Sequence, residues 1–250
     1  MLRKWVWLLV FIFLTNIAVA DKVLELLFEE GEGEEVLDTS GAGNNGVIVG
    51  AQWTTGKFGS ALEFDGAGTH AEIPDSPSLQ ITEEMTVAAW VYFSMLGASG
   101  NHDAIIAKSN TWSFITFSRS DPKYQFSWWD SVTKNLIPAE PKWIVSDWVP
   151  DINTWYHLAV TMKSGDKLLF YQNGEFVKES PYPLAIPAGA DAPIWVGKGN
   201  GTTENFAGVV DEVKIFNMAL SQQDVKNIMN ASASVESSGK LAVTWGALKQ

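Results

Sequence analysis

The sequence predicts an all-β sandwich: two antiparallel sheets packed face to face, with one short helix near the C-terminus. Short runs rich in Val, Ile, Phe, Tyr and Trp recur along the chain, each bounded by Gly, Asn, Asp, Ser or Pro. That spacing belongs to a sandwich or barrel, not to alternating βαβ units. A second observation is Asn173-Gly174, which separates the apolar runs Leu168–Gln172 and Glu175–Val177. Both turn residues tolerate positive φ, so the pair marks a tight hairpin. Third, only one stretch has helical spacing. Ser221 is its N-cap, Asp224 stands in its first turn, and Val225, Ile228 and Met229 form its apolar face.

The elements follow in order from the N-terminus. Arg3 and Lys4 precede an apolar run from Trp5 to Leu14, and Ala18-Val19-Ala20 then stands before Asp21. Basic, apolar and small-residue segments in that order predict a signal peptide over 1–20. The alternative is a membrane anchor, but a span needs about 20 apolar residues and this run is shorter. The expectation is therefore a secreted, periplasmic or cell-surface protein with no stable membrane span after cleavage.

Removing 20 of the 250 residues leaves 230, an ordinary size for one all-β domain. The strand runs are Val23–Phe28, Ala61–Phe64, Met85–Phe93, Trp112–Phe117, Tyr124–Trp129, Trp155–Met162, Lys167–Gln172, Ile194–Val196 and Val209–Phe216. Together with the helix they define a domain over 21–229. Residues 230–250 read as a linker followed by a strand-like tail carrying Leu241, Val243 and Trp245. The chain has no cysteine, which removes disulfides as cross-links and favours a bacterial source or a metal in their place. Without Arg3 and Lys4 the 17 basic residues fall to 15 against 29 acidic ones, a net charge of −14. A chain so acidic repels phosphate backbones, so nucleic acid is excluded as a partner.

An ordered set of motifs carries a family resemblance. Leu27-Phe28-Glu29-Glu30-Gly31 is followed by Asp38-Thr39-Ser40-Gly41 and Asn44-Asn45-Gly46. Gly56-Lys57-Phe58-Gly59-Ser60-Ala61-Leu62-Glu63-Phe64-Asp65-Gly66 and Thr86-Val87-Ala88-Ala89-Trp90-Val91 come next. Trp155 to Thr161, Tyr171-Gln172-Asn173-Gly174, Phe206 to Phe216 and Ala219-Leu220-Ser221 complete the series. Over residues 23–229 this set resembles the bacterial laminin G-like jelly-roll domains of the concanavalin A-like lectin and glucanase superfamily. The resemblance implies a jelly roll of two antiparallel sheets, often with one structural calcium and sometimes a glycan-binding face or rim. The family's Phe-Asp-Glu near the start is Phe28-Glu29-Glu30 here, and correspondence is weakest over Arg119 to Pro150.

Asp211 is the most informative acid. Strict alternation along Val209–Phe216 puts it on one face with Val209, Val213 and Ile215. A carboxylate among apolar groups must be neutralised, hydrogen-bonded or metal-bound. One reading makes Asp211 a calcium ligand, joined by oxygens at Glu29 and Gly46, with Asp38 and Asn45 as secondary candidates; calcium takes six to eight oxygens, carbonyls included. The other makes it an aspartate bonded to turn amides with no metal.

The chain has 12 tryptophans, and removing Trp5 and Trp7 leaves 10. Trp90 and Trp155, inside apolar runs, are expected in the core. Alternation puts Trp128 with Tyr124 and Phe126 but Trp129 with Gln125, Ser127 and Ser131. Trp129, and Trp148 among Ser146, Asp147 and Asp151, are the candidate sugar platforms. Packing at the rim is the alternative for each. Catalytic patterns are missing. The Glu-x-Asp-x-x-Glu run of the superfamily's retaining glucanases, which sets two carboxyls about 5 Å apart, is not found. His70, His102 and His157 are scattered with no His-Glu-x-x-His helix. The sequence therefore points to a non-catalytic module binding a glycan or cell-surface ligand, with an adhesive protein–protein module as the rival and a divergent glycoside hydrolase as the third reading.

Overall fold

A computed structural model describes residues 21–96, 102–109, 111–118, 123, 125–130, 135–137, 144–146, 148–181, 186, 191–200 and 203–231. The expected signal peptide and the tail beyond 231 lie outside the described residues. Strands β1 (Lys22–Leu26), β2 (Glu35–Val36), β3 (Gly46–Val49), β4 (Gln52–Thr55), β5 (Ser60–Asp65) and β6 (His70–Ile73) precede a 3-10 turn at Pro77–Leu79. Then come β7 (Glu84–Phe93), β8 (His102–Lys108), β9 (Trp112–Ser118), β10 (Gln125–Asp130), β11 (Asn135–Ile137) and β12 (Ile144–Val145). Strands β13 (Trp155–Lys163), β14 (Lys167–Gln172), β15 (Glu175–Pro181), β16 (Ile194–Val196) and β17 (Ala207–Phe216) finish the sheets. Helix α1 spans 222–231.

All pairings within the two sheets are antiparallel. The first sheet runs β15-β14-β13-β7-β17-β5-β4, with β1 also on β17; the second runs β11-β10-β9-β8-β16-β6-β3-β2, with β12 on β10. Their facing sides make one core. Met85, Val87, Ala89, Val91 and Phe93 of β7 point into it, as do Tyr156, Leu158, Val160 and Met162 of β13. Across the gap Ala71, Ile73, Ile106, Ile194 and Val196 answer from the second sheet. This is the two-sheet jelly-roll sandwich the sequence predicts, and strand alternation builds it.

The first sheet is also covered on its outer side, which is why β7 and β17 are buried along nearly their whole length. Helix α1 brings Val225 and the preceding Leu220 onto Ala88, Ala159, Tyr171 and Phe216. Its start is a reciprocal cap: the Asp224 N–H donates to Ser221 Oγ at 3.3 Å, and the Ser221 N–H donates to Asp224 Oδ2 at 3.2 Å. The helix docks on the hairpin turn, where Asn173 and Gly174 have φ of 50° and 76°. A Cβ on Gly174 would lie 2.7 Å from Lys226 Cγ, so the glycine serves the docking as well as the turn.

Two expectations about faces are corrected. Asp211 pairs with Trp90 and Lys214 with Ala88, so β17 carries one extra residue there, with Glu212 at φ 54°. This β-bulge reverses the alternation. Val213 and Ile215 reach the core, whereas Asp211 shares the outer face with Val209. Trp90 and Trp155 are likewise on the outer face of the first sheet. Trp90 is buried there under the edges of Phe58 and His157, and Trp155 is half-buried against Tyr92 at 5.6 Å.

Candidate functional site

Strand β17 changes its neighbour at the bulge, pairing Val210 with Leu62 of β5 before it and Val213 with Leu26 of β1 after it. Asp211 stands at that change, against the Gly56–Gly59 turn joining β4 to β5. Its Oδ2 accepts a hydrogen bond from the Phe58 N–H at 3.0 Å. A Cβ on Gly56 would meet Asp211 Oδ2 at 2.6 Å, the Phe58 carbonyl oxygen at 2.6 Å and the Ser60 carbonyl oxygen at 2.8 Å. Three oxygens thus converge on space that only a glycine leaves open.

The other oxygen, Asp211 Oδ1, is buried without a hydrogen-bond partner. Burial pushes the Asp211 carboxyl up to about 7, against the pull of the Phe58 N–H, and the neighbouring Glu212 carboxylate adds to the rise. Glu29 reaches the same turn from the other end, its carboxylate lying where a Gly59 side chain would have to sit.

Glu29 and Asp211 therefore lie against opposite ends of one turn, at Gly59 and Gly56. Asp38, Asn45 and Gly46 belong to the β2–β3 connection. Asp38 accepts from the Glu25 and Ser40 N–H groups at 2.9 Å and from Ser40 Oγ and the Asn44 N–H at 2.8 Å. Burial raises the Asp38 carboxyl, but these donors outweigh it and hold it below the usual carboxylate range. Asn45 Oδ1 accepts from the Asp38 N–H at 2.9 Å, and a Cβ on Gly46 would lie 2.8 Å from the Glu72 carbonyl oxygen. Among the described residues no three acidic, histidine or cysteine side chains gather into a metal-binding group, so a cation beside Asp211 would draw on main-chain carbonyls. Sequence reading missed Gly56 and the Phe58 and Ser60 carbonyls. Its available signal was the glycine pair bracketing Lys57-Phe58.

The second sheet carries a different constellation on its outer face. Glu72 lies between the core residues Ala71 and Ile73, and Trp195 lies between Ile194 and Val196, so both point outward. A single row crosses the sheet through Glu35, Val47, Glu72, Trp195, Ala107 and Ser113, with Ser127 next in backbone register. The half-buried Trp195 donates its Nε1–H to Glu72 Oε2 at 2.9 Å. Lys198 Nζ stands 4.7 Å over the ring, and His70 meets it edge-on at 6.0 Å. His70 Nδ1 lies 2.8 Å from the Gly68 carbonyl, which can only accept, so this nitrogen carries the proton. Trp195 was not singled out from sequence, though its apolar flanks on both sides already put it on the opposite face.

Of the expected platforms, Trp148 is half-buried, with its ring T-shaped on Tyr156 at 4.7 Å. Trp129 pairs with Leu136 in the backbone ladder, and its side chain lies outside the described residues. Under the outer face of the first sheet, His157 is buried with no partner for Nδ1. Burial, and then the charge of Lys214, hold its pKa down at about 3.

No curated protein matches this chain. Solved structures similar to it include domain 4 of AbnA, a GH43 extracellular arabinanase from Geobacillus stearothermophilus, in complex with arabinotriose. That match has a TM-score of 0.66 and 21% identity, covering 84% of this chain and 98% of the other. The binding domain of Paraclostridial Mosquitocidal Protein 1 matches with a TM-score of 0.66 and 17% identity, over 84% of this chain and 52% of that one. The receptor binding domain of botulinum neurotoxin C/D mosaic serotype matches with a TM-score of 0.65 and 17% identity, over 84% and 51%. This chain spans about half the length of the two toxin domains, and at these identities the likeness shows the fold. Among the described residues no helix is long and apolar enough to cross a membrane. A family model described as Concanavalin A-like lectin/glucanases superfamily (Laminin_G_3) matches residues 65–226, and the chain belongs to that family.

Proposed function

We propose that the chain is an exported, non-catalytic, calcium-stabilised module that binds glycans of cell surfaces or the extracellular medium. The observation that carries the binding reading is Trp195 on the outer face of the second sheet, with Glu72, His70 and Lys198 around its ring. An aromatic plane edged by a few polar groups suits a pyranose, which offers an apolar face and a rim of hydroxyls. The likeness to an arabinanase domain in complex with arabinotriose supports the same reading by analogy.

Calcium enters through Asp211. Its orphaned Oδ1 and the oxygens converging on Gly56 fit a hard cation that prefers carboxylate and carbonyl ligands. Asp211, the Phe58 and Ser60 carbonyls and Glu29 would hold it, and the ion would neutralise a carboxylate that burial otherwise protonates. Glu29 and Asp211 keep their proposed roles; Asp38, Asn45 and Gly46 would support the neighbouring turn. The test is a glycan array probed with the full chain in calcium and in EDTA, with Trp195→Ala beside it. Binding lost in Trp195→Ala supports the reading, and no binding to any glycan in either buffer overturns it.

A second reading is an adhesive protein–protein module. Leu37, Val47 and Val49 at the β2–β3 edge of the second sheet are 45%, 48% and 45% exposed, a grouped apolar surface of the kind that partners cover. Leu37→Lys, outside the Val47–Glu72–Trp195 row, should then abolish adhesion while leaving glycan binding intact.

A further inference from the structure

We infer that the Trp195 face is a subsite for an acidic sugar, a uronate or sialate, whose carboxylate pairs with Lys198; this rests on the glycan-binding reading of that face. Lys198 follows β16 and is fixed by its backbone, bridging to Asn205, with the Gly199 N–H bonded to the Glu204 carbonyl at 2.7 Å. Its ammonium lies over the Trp195 ring. Two carboxylates stand nearby: Glu72, whose Oε2 takes the indole N–H and lies 3.7 Å from His70 Nε2, and Glu204, whose Oε2 would lie 2.4 Å from a Cβ on Gly199. Among the described residues Lys198 has no ion-pair partner. Lys22, Lys108, Lys163, Lys167, Lys214 and Lys226 each pair with a carboxylate, whereas Lys57, like Lys198, stands over a tryptophan ring, 4.6 Å from that of Trp90. Lys198 is therefore a half-buried cation that no carboxylate of the described residues pairs directly, with the half-exposed Glu72 keeping the cluster near neutral.

The three groups divide the recognition of such a sugar. The indole offers its plane to the ring carbons. Glu72, whose side chain is 40% exposed, accepts from sugar hydroxyls and holds the indole in place. Lys198 supplies the charge that a neutral pyranose would leave unused. A neutral sugar lying on that face would also have to move the ammonium off the ring, losing the cation–π contact. An acidic sugar draws it outward onto its own carboxylate and replaces that contact. Long-range repulsion from the acidic protein is screened within about 8 Å at physiological salt, so the local pairing decides.

The test titrates the full chain with immobilised polygalacturonate, its methyl ester, sialyllactose and lactose. The ester and lactose keep the rings and remove the charge. The expected result is at least tenfold tighter binding of one acidic probe than of its neutral counterpart, and which pair shows it names the source of the carboxylate. Lys198→Gln should reduce that preference to near unity without changing Tm, and Lys198→Arg should retain it. Equal affinity for acidic and neutral probes, or a preference unchanged in Lys198→Gln, overturns the acidic subsite while leaving glycan binding intact. Absence of binding to these probes and to every glycan on the array overturns both.

Discussion

Asp211 and His157 stand opposite the same residue, Trp90, one on each side of strand β7. Both are buried on the outer face of the first sheet, and burial drives each toward its neutral form, so their titrations oppose each other. Asp211 binds its proton more tightly folded than unfolded. Its destabilising effect in metal-free protein therefore develops as pH rises from near 3.8 to about 7, reaching about 4 kcal/mol. His157 binds its proton less tightly folded. The stability it contributes is complete above 6.5 and is lost as pH falls toward about 3, by about 5 kcal/mol in all.

Between about pH 4 and 6.5 the two slopes cancel, so their joint contribution in EDTA should be flat. His157→Gln should make stability fall as pH rises through that window, and Asp211→Asn should make it fall as pH drops. Urea unfolding at pH 4.5, 5.5 and 6.5 measures both slopes. Equal slopes in the two variants would contradict the opposition.

Calcium should raise the Tm of the wild type, by about 2.7 kcal/mol of stabilisation at a hundredfold excess over Kd. Asp211→Ala should remove the response. Gly56→Ala should do the same by a different route, since its Cβ would meet Asp211 Oδ2 and the Phe58 carbonyl at 2.6 Å. The response should also shrink from pH 7 to pH 5, where the proton competes for Asp211. Identical melting in EDTA and millimolar calcium would mean the turn holds no ion.

The Asn173-Gly174 hairpin, the Ser221 cap and the period-2 strands were legible because each is set by residues adjacent in sequence. Asp211 is legible in the sequence as a carboxylate in an apolar strand, but strict alternation puts it on the wrong face. The bulge at Glu212 inserts one residue without the glycine that would have announced it, and one residue is enough to reverse a period of 2. The oxygens around Gly56 were illegible because two are main-chain carbonyls, which no side-chain pattern encodes. Short strands such as β3 and β6 were missed as well, their four residues each giving too little alternation to register.

The tryptophans separate binding from packing. Trp195→Ala should cost roughly 1–3 kcal/mol of stability, as a half-buried tryptophan does, and should in addition weaken glycan binding of the folded protein by more than tenfold, about 1.4 kcal/mol. Trp148→Ala should cost roughly 1–3 kcal/mol of stability, less than the 3–5 kcal/mol of a fully buried aromatic, because Trp148 is half-buried on Tyr156. If Trp129 is a second platform, Trp129→Ala should resemble Trp195→Ala in both measurements. A binding defect confined to Trp148→Ala would move the site from the sheet face to the rim.

Glu212 and Lys214 form a buried ion pair that spans the bulge, with side chains 3% and 5% exposed. Each charge has lost its water, so removing one partner leaves the other uncompensated. Lys214→Met should cost about 3–5 kcal/mol, whereas Glu212→Gln with Lys214→Met should cost less than the single change. Lys214 also helps depress His157, second to burial. The imidazole pKa should therefore rise in both variants, and histidine resonances followed by NMR against pH can register it. Glu212→Gly isolates the backbone, since glycine accepts the positive φ of the bulge without strain but deletes the carboxylate. It should fail like Lys214→Met if the charge pair stabilises the bulge. Wild-type stability in Glu212→Gly would instead show that the backbone alone sets it, and that Lys214 tolerates burial without a partner.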